Sequence, residues 1–84
     1  MAIRFANTAA KHRVSQARAR YVLDHYVWAY PAGRGVTLFM GPDANGIDLE
    51  IGTVERDDDT WVIHAMKVRP EFRDEDRSHL PWPG

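Results

Sequence analysis

The hydrophobic pattern of this chain changes its period once, near residue 33. Before that point, apolar residues lie at positions i, i+3, i+4 and i+7, which is the stripe of an amphipathic helix. These residues are Ala19, Val22, Leu23 and Tyr26. Ser15, a favoured N-cap residue, lies one turn before the stripe. The pattern therefore predicts a main helix over residues 16–26.

Two shorter N-terminal segments precede this helix. Asn7 is a good N-cap for a short helix over residues 8–12, which contains two alanines. Ile3-Arg4-Phe5 fits a short first strand, or an arm that leads into this helix.

After residue 33 the period becomes two, which is typical of strands. The predicted strands cover residues 35–40, 47–54 and 61–68, separated by turns at 41–46 and 56–59. Gly52 interrupts the alternation of the middle strand and predicts a β-bulge. Tyr26, Trp28 and Tyr30 are interpreted as core and sheet-edge packing, although an exposed Trp or Tyr among them could stack a base. Pro70 fits the first turn of a closing helix over 71–78.

These elements predict a single α+β domain spanning residues 1–84, with 79–84 as a flexible tail. N-terminal helices would pack on one face of a three- to four-stranded antiparallel sheet, and a short C-terminal helix would follow it. The second sheet face would then be free, with Asp48, Glu50 and one parity of the last strand projecting from it.

Composition narrows the class of protein. With 84 residues, 44% of them hydrophobic, the chain can form one small core. It has no cysteine, which excludes disulfides and thiolate metal sites. The absence of a long apolar run argues against a signal peptide or membrane span, so we expect a cytoplasmic protein without membrane contact.

The formal net charge of −1 hides a strong asymmetry. Residues 1–34 carry six basic side chains against one acidic one, whereas residues 35–60 carry seven acidic side chains against one basic one. This asymmetry allows a local anion-binding face. The overall charge argues against binding nucleic acid through bulk electrostatics.

Candidate chemistry centres on the strand 61–68. His64 lies inside it, and Lys67, Arg69 and Arg73 follow. A histidine beside fixed cations suits the binding or cleavage of a phosphodiester, but it also suits a solvated strand end. His64 could equally be satisfied by a cross-strand or helix partner. Glu50 is an ordinary outward strand residue unless His64 or an arginine lies across the sheet from it.

Other chemistries lack their sequence patterns. The four histidines have no metal-ligand spacing, and no phosphate-binding loop or nucleophile motif occurs. We therefore expect neither a metal site nor a cofactor.

Two short motifs carry a family resemblance. Lys11-His12-Arg13-Val14-Ser15 is similar to the KHG[IV]S turn of the BrnT group of small toxins. Ile63-His64-Ala65, followed by basic residues, resembles the Ile-x-Ala ending of that group's last strand. The chain looks closest to the less characterised BrnT-like proteins of high-GC bacteria, whose last strand reads IHAM…R. The resemblance covers roughly residues 4–73.

The resemblance implies a RelE-like fold and a metal-independent endoribonuclease, the toxin of a type II toxin–antitoxin system that inhibits translation by cleaving RNA. Its partners would be RNA, either free or as ribosome-associated messenger RNA, and a cognate antitoxin; the oligomeric state stays open. The expected catalytic residues are His64, Arg69 and Arg73, with Glu50 as a fallback base. RNA phosphates would contact Lys11, His12 and Lys67. His12 could instead bind the last carbonyls of the short helix or fix the turn before Ser15. Antitoxin would contact Arg18 and Arg20.

One departure from the family pattern favours a second hypothesis. The family ends its last strand with Ser-Ala-Arg, whereas this chain has His64-Ala65-Met66, so a methionine stands where an arginine could hold a phosphate. The alternative is therefore a catalytically silent RelE-like module that binds protein.

Overall fold

The computed structural model describes residues 2–68. One five-stranded sheet dominates this part of the chain, with its strands in the order β1-β5-β4-β3-β2. All neighbouring strands are antiparallel except β1, which runs parallel to β5. The elements are β1 (Ile3–Phe5), a 3-10 helix (Asn7–Ala10), α1 (Gln16–His25), β2 (Trp28–Gly33), β3 (Val36–Pro42), β4 (Asp48–Arg56) and β5 (Asp59–Lys67).

This architecture shows that the predicted fold class was wrong. We expected N-terminal helices on a three- to four-stranded antiparallel sheet of RelE/BrnT type. The described residues instead form a mixed five-stranded sheet with one α-helix. The predicted closing helix over 71–78 and the tail 79–84 lie outside the described residues.

Two strands account for the difference. Ile3–Phe5, for which a strand and an arm were both open, is strand β1 and pairs with residues 60–62 of β5. Trp28–Gly33, which was not predicted as a strand, is the edge strand β2. Its Pro31 lacks a backbone N–H, and an edge strand tolerates this because one side of its backbone has no neighbouring strand.

The helix prediction is confirmed within one residue. α1 spans Gln16–His25, and the Ser15 hydroxyl accepts a hydrogen bond from the Arg18 N–H at 3.2 Å. Tyr26 ends the helix in an extended conformation, and its ring packs edge-on against Phe39 with centroids 4.8 Å apart. The shorter helix is a 3-10 helix over Asn7–Ala10 rather than a helix over 8–12.

The main core lies between α1 and one face of the sheet. Ala19 and Val22 are the buried residues of α1, and Leu23 packs against the cluster while half-buried. The buried sheet residues of this cluster are Leu49, Ile51, Val62 and Ala65.

A bulge decides which β5 residues face this core. Gly52 pairs with His64, but the next β4 residue, Thr53, pairs with Val62. Ile63 is therefore an extra residue in β5. The predicted bulge lies opposite Gly52, in β5, rather than in the middle strand, whose alternation continues through Thr53 and Val54. The bulge gives the core positions of β5 to Val62 and Ala65 rather than to Ile63.

The second sheet face carries a smaller apolar cluster rather than the free polar surface that we expected. Leu38 and Met40 are buried there, with Trp28 and Tyr30 packed against them. The strand register places Glu50 between Met40 and Met66 on this face. Glu50 is only 1% exposed. A carboxyl group buried among apolar neighbours needs polar partners, and this requirement points to the site.

Candidate functional site: a buried glutamate beside two histidines

Glu50 and His64 form a polar pair on the sheet face opposite α1. His64 Nε2 lies 3.2 Å from Glu50 Oε2. The glutamate side chain is 1% exposed, whereas the imidazole is 34% exposed. The pair therefore joins a buried carboxyl group to a histidine that solvent can reach.

This pairing bears on which ring nitrogen of His64 carries a proton. When the carboxylate accepts the hydrogen bond, Nε2 carries the proton and donates it to Oε2. Nδ1 is then the ring nitrogen that can exchange a proton with another molecule. A carboxylate in this position also orients the imidazole, as in other sites where an acidic group holds a histidine.

A second histidine reaches this pair from a distant part of the sequence. The His12 and His64 ring centroids are 6.1 Å apart, with the ring planes at 75°. His12 follows the 3-10 helix, which lies along β5 and is held there by the Thr8 hydroxyl donating to the Ile63 carbonyl at 2.7 Å. The backbone N–H of Ala6 also donates to the Val62 carbonyl at 2.9 Å. The bulged part of β5 thus anchors the segment that carries His12.

Gly52 makes room for the histidine of the pair. A Cβ atom at this position would lie 3.1 Å from the His64 Cβ and 3.4 Å from Leu38 Cδ2. The absence of a side chain leaves room for the His64 Cβ beside the neighbouring strand. The sequence indicated Gly52 only as a bulge, because its contact with His64 depends on the strand register.

The predicted phosphate-binding residues are divided by the fold. Lys11 and His12 are exposed in the turn that meets His64. Lys67 pairs with Leu49, so the register places it on the α1 face, opposite His64. Arg69 and Arg73 lie outside the described residues.

The two residues predicted to contact a partner have contacts within the domain. Arg18 Nε donates to Asp43 Oδ2 at 2.8 Å, and the Asp43 side chain is 1% exposed. Arg20 is exposed; its guanidinium lies 5.4 Å from the Phe5 ring centroid and donates to the Ile3 carbonyl at 3.4 Å. Arg18 therefore has a structural role, whereas Arg20 keeps a solvent-accessible charge.

Two surface clefts lie apart from the histidine pair. One, of about 270 Å³, is lined by residues of the β3–β4 turn together with Lys67 and Val68. The other, of about 150 Å³, lies between the 3-10 helix and the start of α1. His64 and Glu50 instead lie on the sheet face opposite α1 and line neither cleft.

Within residues 2–68 no cluster of three histidine or acidic side chains has the geometry to hold a metal ion. The same residues contain no helix with the length and apolar character required to cross a bilayer.

Comparisons with protein-family models, with curated proteins and with solved structures each found no significant match.

Proposed function

We propose that this protein is an endoribonuclease whose proton transfers are carried out by His64 and His12, and that it acts as the toxin of a type II toxin–antitoxin pair. One observation carries the proposal: buried Glu50 holds a solvent-accessible His64 beside His12. Two imidazoles side by side can supply both a general base and a general acid near neutral pH.

The reaction follows from these groups. One imidazole accepts the proton of a ribose 2′-hydroxyl as the 2′-oxygen forms a bond to phosphorus. The bond from phosphorus to the 5′-oxygen breaks, and the other imidazolium gives that oxygen its proton. The products are a 2′,3′-cyclic phosphate and a free 5′-hydroxyl end. Glu50 is too buried to reach the substrate and serves as a positioning residue that orients His64.

Cations in the His12 turn supply the charge that a phosphodiester transition state requires. Lys11 and Arg13 flank His12 and are exposed. Arg13 has a φ of 60°, a backbone conformation that favours glycine. The similar KHG[IV]S turn has glycine at this position, so the local conformation supports the sequence resemblance.

The toxin role implies two partners, a target RNA and an antitoxin protein. Its target would be RNA in the cytoplasm, and an antitoxin would bind across the exposed face of α1. Of the two arginines expected to contact it, Arg20 remains accessible, whereas Arg18 is held by Asp43. We therefore assign the charged antitoxin contact to Arg20.

The direct test is cleavage of a single-stranded RNA oligonucleotide by the purified full chain in the presence of EDTA. We expect products ending in 2′,3′-cyclic phosphate and no cleavage of an all-deoxy oligonucleotide, which lacks the attacking hydroxyl. His64→Gln and His12→Gln should each lower the rate about 10²-fold or more, the usual contribution of a general acid or base. The rate should follow a bell-shaped pH profile.

His25→Gln is the matched control. His25 is an exposed histidine at the end of α1, where its Nδ1 lies 2.9 Å from the Tyr21 carbonyl oxygen. Its substitution should leave cleavage unchanged. Equal activity of the wild type and His64→Gln, with both proteins folded, would overturn the proposal. Growth arrest upon expression in bacteria, lost in His64→Gln, would support the toxin role.

One observation favours the alternative, a catalytically silent protein-binding module. Of the described cations that the sequence predicted to bind phosphate, Lys67 lies on the α1 face, away from His64. The cations near His64 are therefore confined to the turn that contains His12. Glu50 and His64 would then only stabilise the sheet. Harmless accumulation of the wild type, with no RNA cleavage in vitro, would establish this reading.

A further inference from the structure

A second group of side chains shares the sheet face of His64. Trp61 of β5 is half-buried and lies between two arginines: the Arg4 and Arg56 guanidinium carbons are 6.0 and 5.8 Å from its ring centroid. These are distances at which a guanidinium interacts with an aromatic ring. Arg4 comes from β1 and Arg56 from β4, so three strands build this cluster.

The bulge brings this cluster and the histidine pair onto one surface. Trp61 and His64 are three residues apart, and strict alternation would place them on opposite faces of the sheet. The register pairs Trp61 with Val54 and His64 with Gly52. Because residues 52 and 54 of β4 point to the same face, Trp61 and His64 also share a face. They are separated by about 10 Å along β5.

We propose that Trp61, with Arg4 and Arg56, is a subsite that stacks an unpaired base of single-stranded nucleic acid. Such subsites combine an aromatic ring with nearby guanidinium groups, and stacking requires a base that is not paired in a duplex. The inference rests on the proposed function, which places the scissile phosphate at His64. The substrate would then be single-stranded RNA, bound along β5.

Charge complementarity at this subsite is modest, and this sets a further expectation. Arg4 Nε donates to Asp59 Oδ2 at 2.6 Å, which offsets part of its charge. The exposed turn residues Asp57 and Asp58 follow Arg56 directly. Stacking should therefore contribute more to binding at this subsite than charge does.

The experiment measures binding of a labelled, single-stranded DNA oligonucleotide by fluorescence anisotropy. DNA keeps the bases but lacks the 2′-hydroxyl, so binding is measured without cleavage. Trp61→Leu retains apolar bulk but cannot stack and should weaken binding about tenfold, the loss of one stacked base. Trp61→Phe should bind within about threefold of the wild type. Arg56→Gln should weaken binding less than Trp61→Leu.

Arg34→Gln is the matched charge control. Arg34 is an exposed arginine in the β2–β3 turn, and its substitution should not change the affinity. Unchanged binding by folded Trp61→Leu would overturn the inference, as would equal losses in Arg34→Gln and Arg56→Gln. Competition by an acidic peptide as strong as that by the oligonucleotide would also overturn it, since it would indicate a protein partner.

The outcomes separate this inference from the proposed function. Binding that depends on Trp61, in a wild type that cleaves no RNA, supports the subsite and overturns the nuclease. Cleavage that depends on His64, with Trp61→Leu binding as tightly as the wild type, overturns the subsite alone.

Discussion

Gly52 and His64 show how a single backbone position determines the geometry of the candidate site. The glycine lies on β4 directly opposite the histidine, and any Cβ there would come within 3.1 Å of the histidine Cβ. Few side-chain carbons make contacts this close, so an alanine here would require His64 to shift by a few tenths of an ångström. The site therefore depends on the absence of a side chain at Gly52 as well as on Glu50 and His64.

Gly52→Ala should therefore lower RNA cleavage without unfolding the protein. A shift of a few tenths of an ångström at His64 would weaken its bond to Glu50, and we expect a roughly fivefold lower kcat, since larger misplacements cost more. The alanine restricts the unfolded chain, which offsets part of the local strain. The check is kcat together with the melting temperature. A normal kcat would show that the position of His64 does not limit the reaction.

Asp43 connects two elements, the β3–β4 hairpin and α1. Its Oδ1 accepts hydrogen bonds from the Asn45 and Ile47 N–H groups at 2.8 and 2.9 Å, which shapes the turn. Its Oδ2 accepts from Arg18 Nε, which ties the turn to the helix. The Ile47 N–H foremost, aided by Arg18 and Asn45, holds the pKa of Asp43 below its usual value against the opposing effect of burial.

This tie predicts how the stability of the protein depends on pH. Because the pKa is lower in the folded state, the ionised carboxylate stabilises the fold above the unfolded pKa of about 3.9. That contribution is lost as the pH falls through the lower, folded value. Asp43→Asn should reduce the melting temperature at pH 7 and flatten its decline below about pH 4.

Asp24→Asn removes an exposed carboxylate from α1 and serves as the control for this measurement. It should leave both the neutral melting temperature and the acid slope close to those of the wild type. An acid slope that is the same in Asp43→Asn and the wild type would contradict the role given to Asp43.

The molecule as a whole packs its only described α-helix against one sheet face, while a smaller apolar cluster covers part of the other. The main core is small, and Val22 is its fully buried contribution from the middle of α1. Domains of this size bury a limited fraction of their surface and have little stability to lose. The loss of this single contact should therefore affect the entire fold.

Val22→Asp places an unpaired charge in the core and should abolish the cooperative thermal transition, since such burial costs several kcal/mol. Tyr21→Asp introduces the same side chain one residue earlier, where Tyr21 is 37% exposed and stacks on His25 with centroids 4.2 Å apart. That variant should still melt cooperatively. Circular dichroism melting curves of both variants check the prediction. Folding of Val22→Asp would show that α1 does not contribute to the core.

The sequence by itself determined the features that depend on neighbouring residues. Ser15 caps α1, and the helical stripe sets the length of the helix. Both effects involve residues that lie only a few positions apart. The two turns followed from residues that tolerate positive φ: Gly46 has φ of 81°, and Asp57 and Asp58 have φ of 54° and 67°. His64 was also singled out, because a polar group in an apolar strand requires a partner or a role. Glu50 was predicted as an outward strand residue, and only the structure shows that it is buried.

Only the tertiary structure decided which residues meet. Ile3–Phe5 forms a strand by pairing with β5, more than 50 residues away in the sequence. β2 lies at the edge of the sheet, where a strand can contain a proline. The bulge at Ile63 set the faces of β5 and so placed Trp61 beside the site. His12 reached His64 because its segment is hydrogen-bonded to that same bulge. Register and long-range pairing depend on the whole sheet, and local sequence patterns do not encode them.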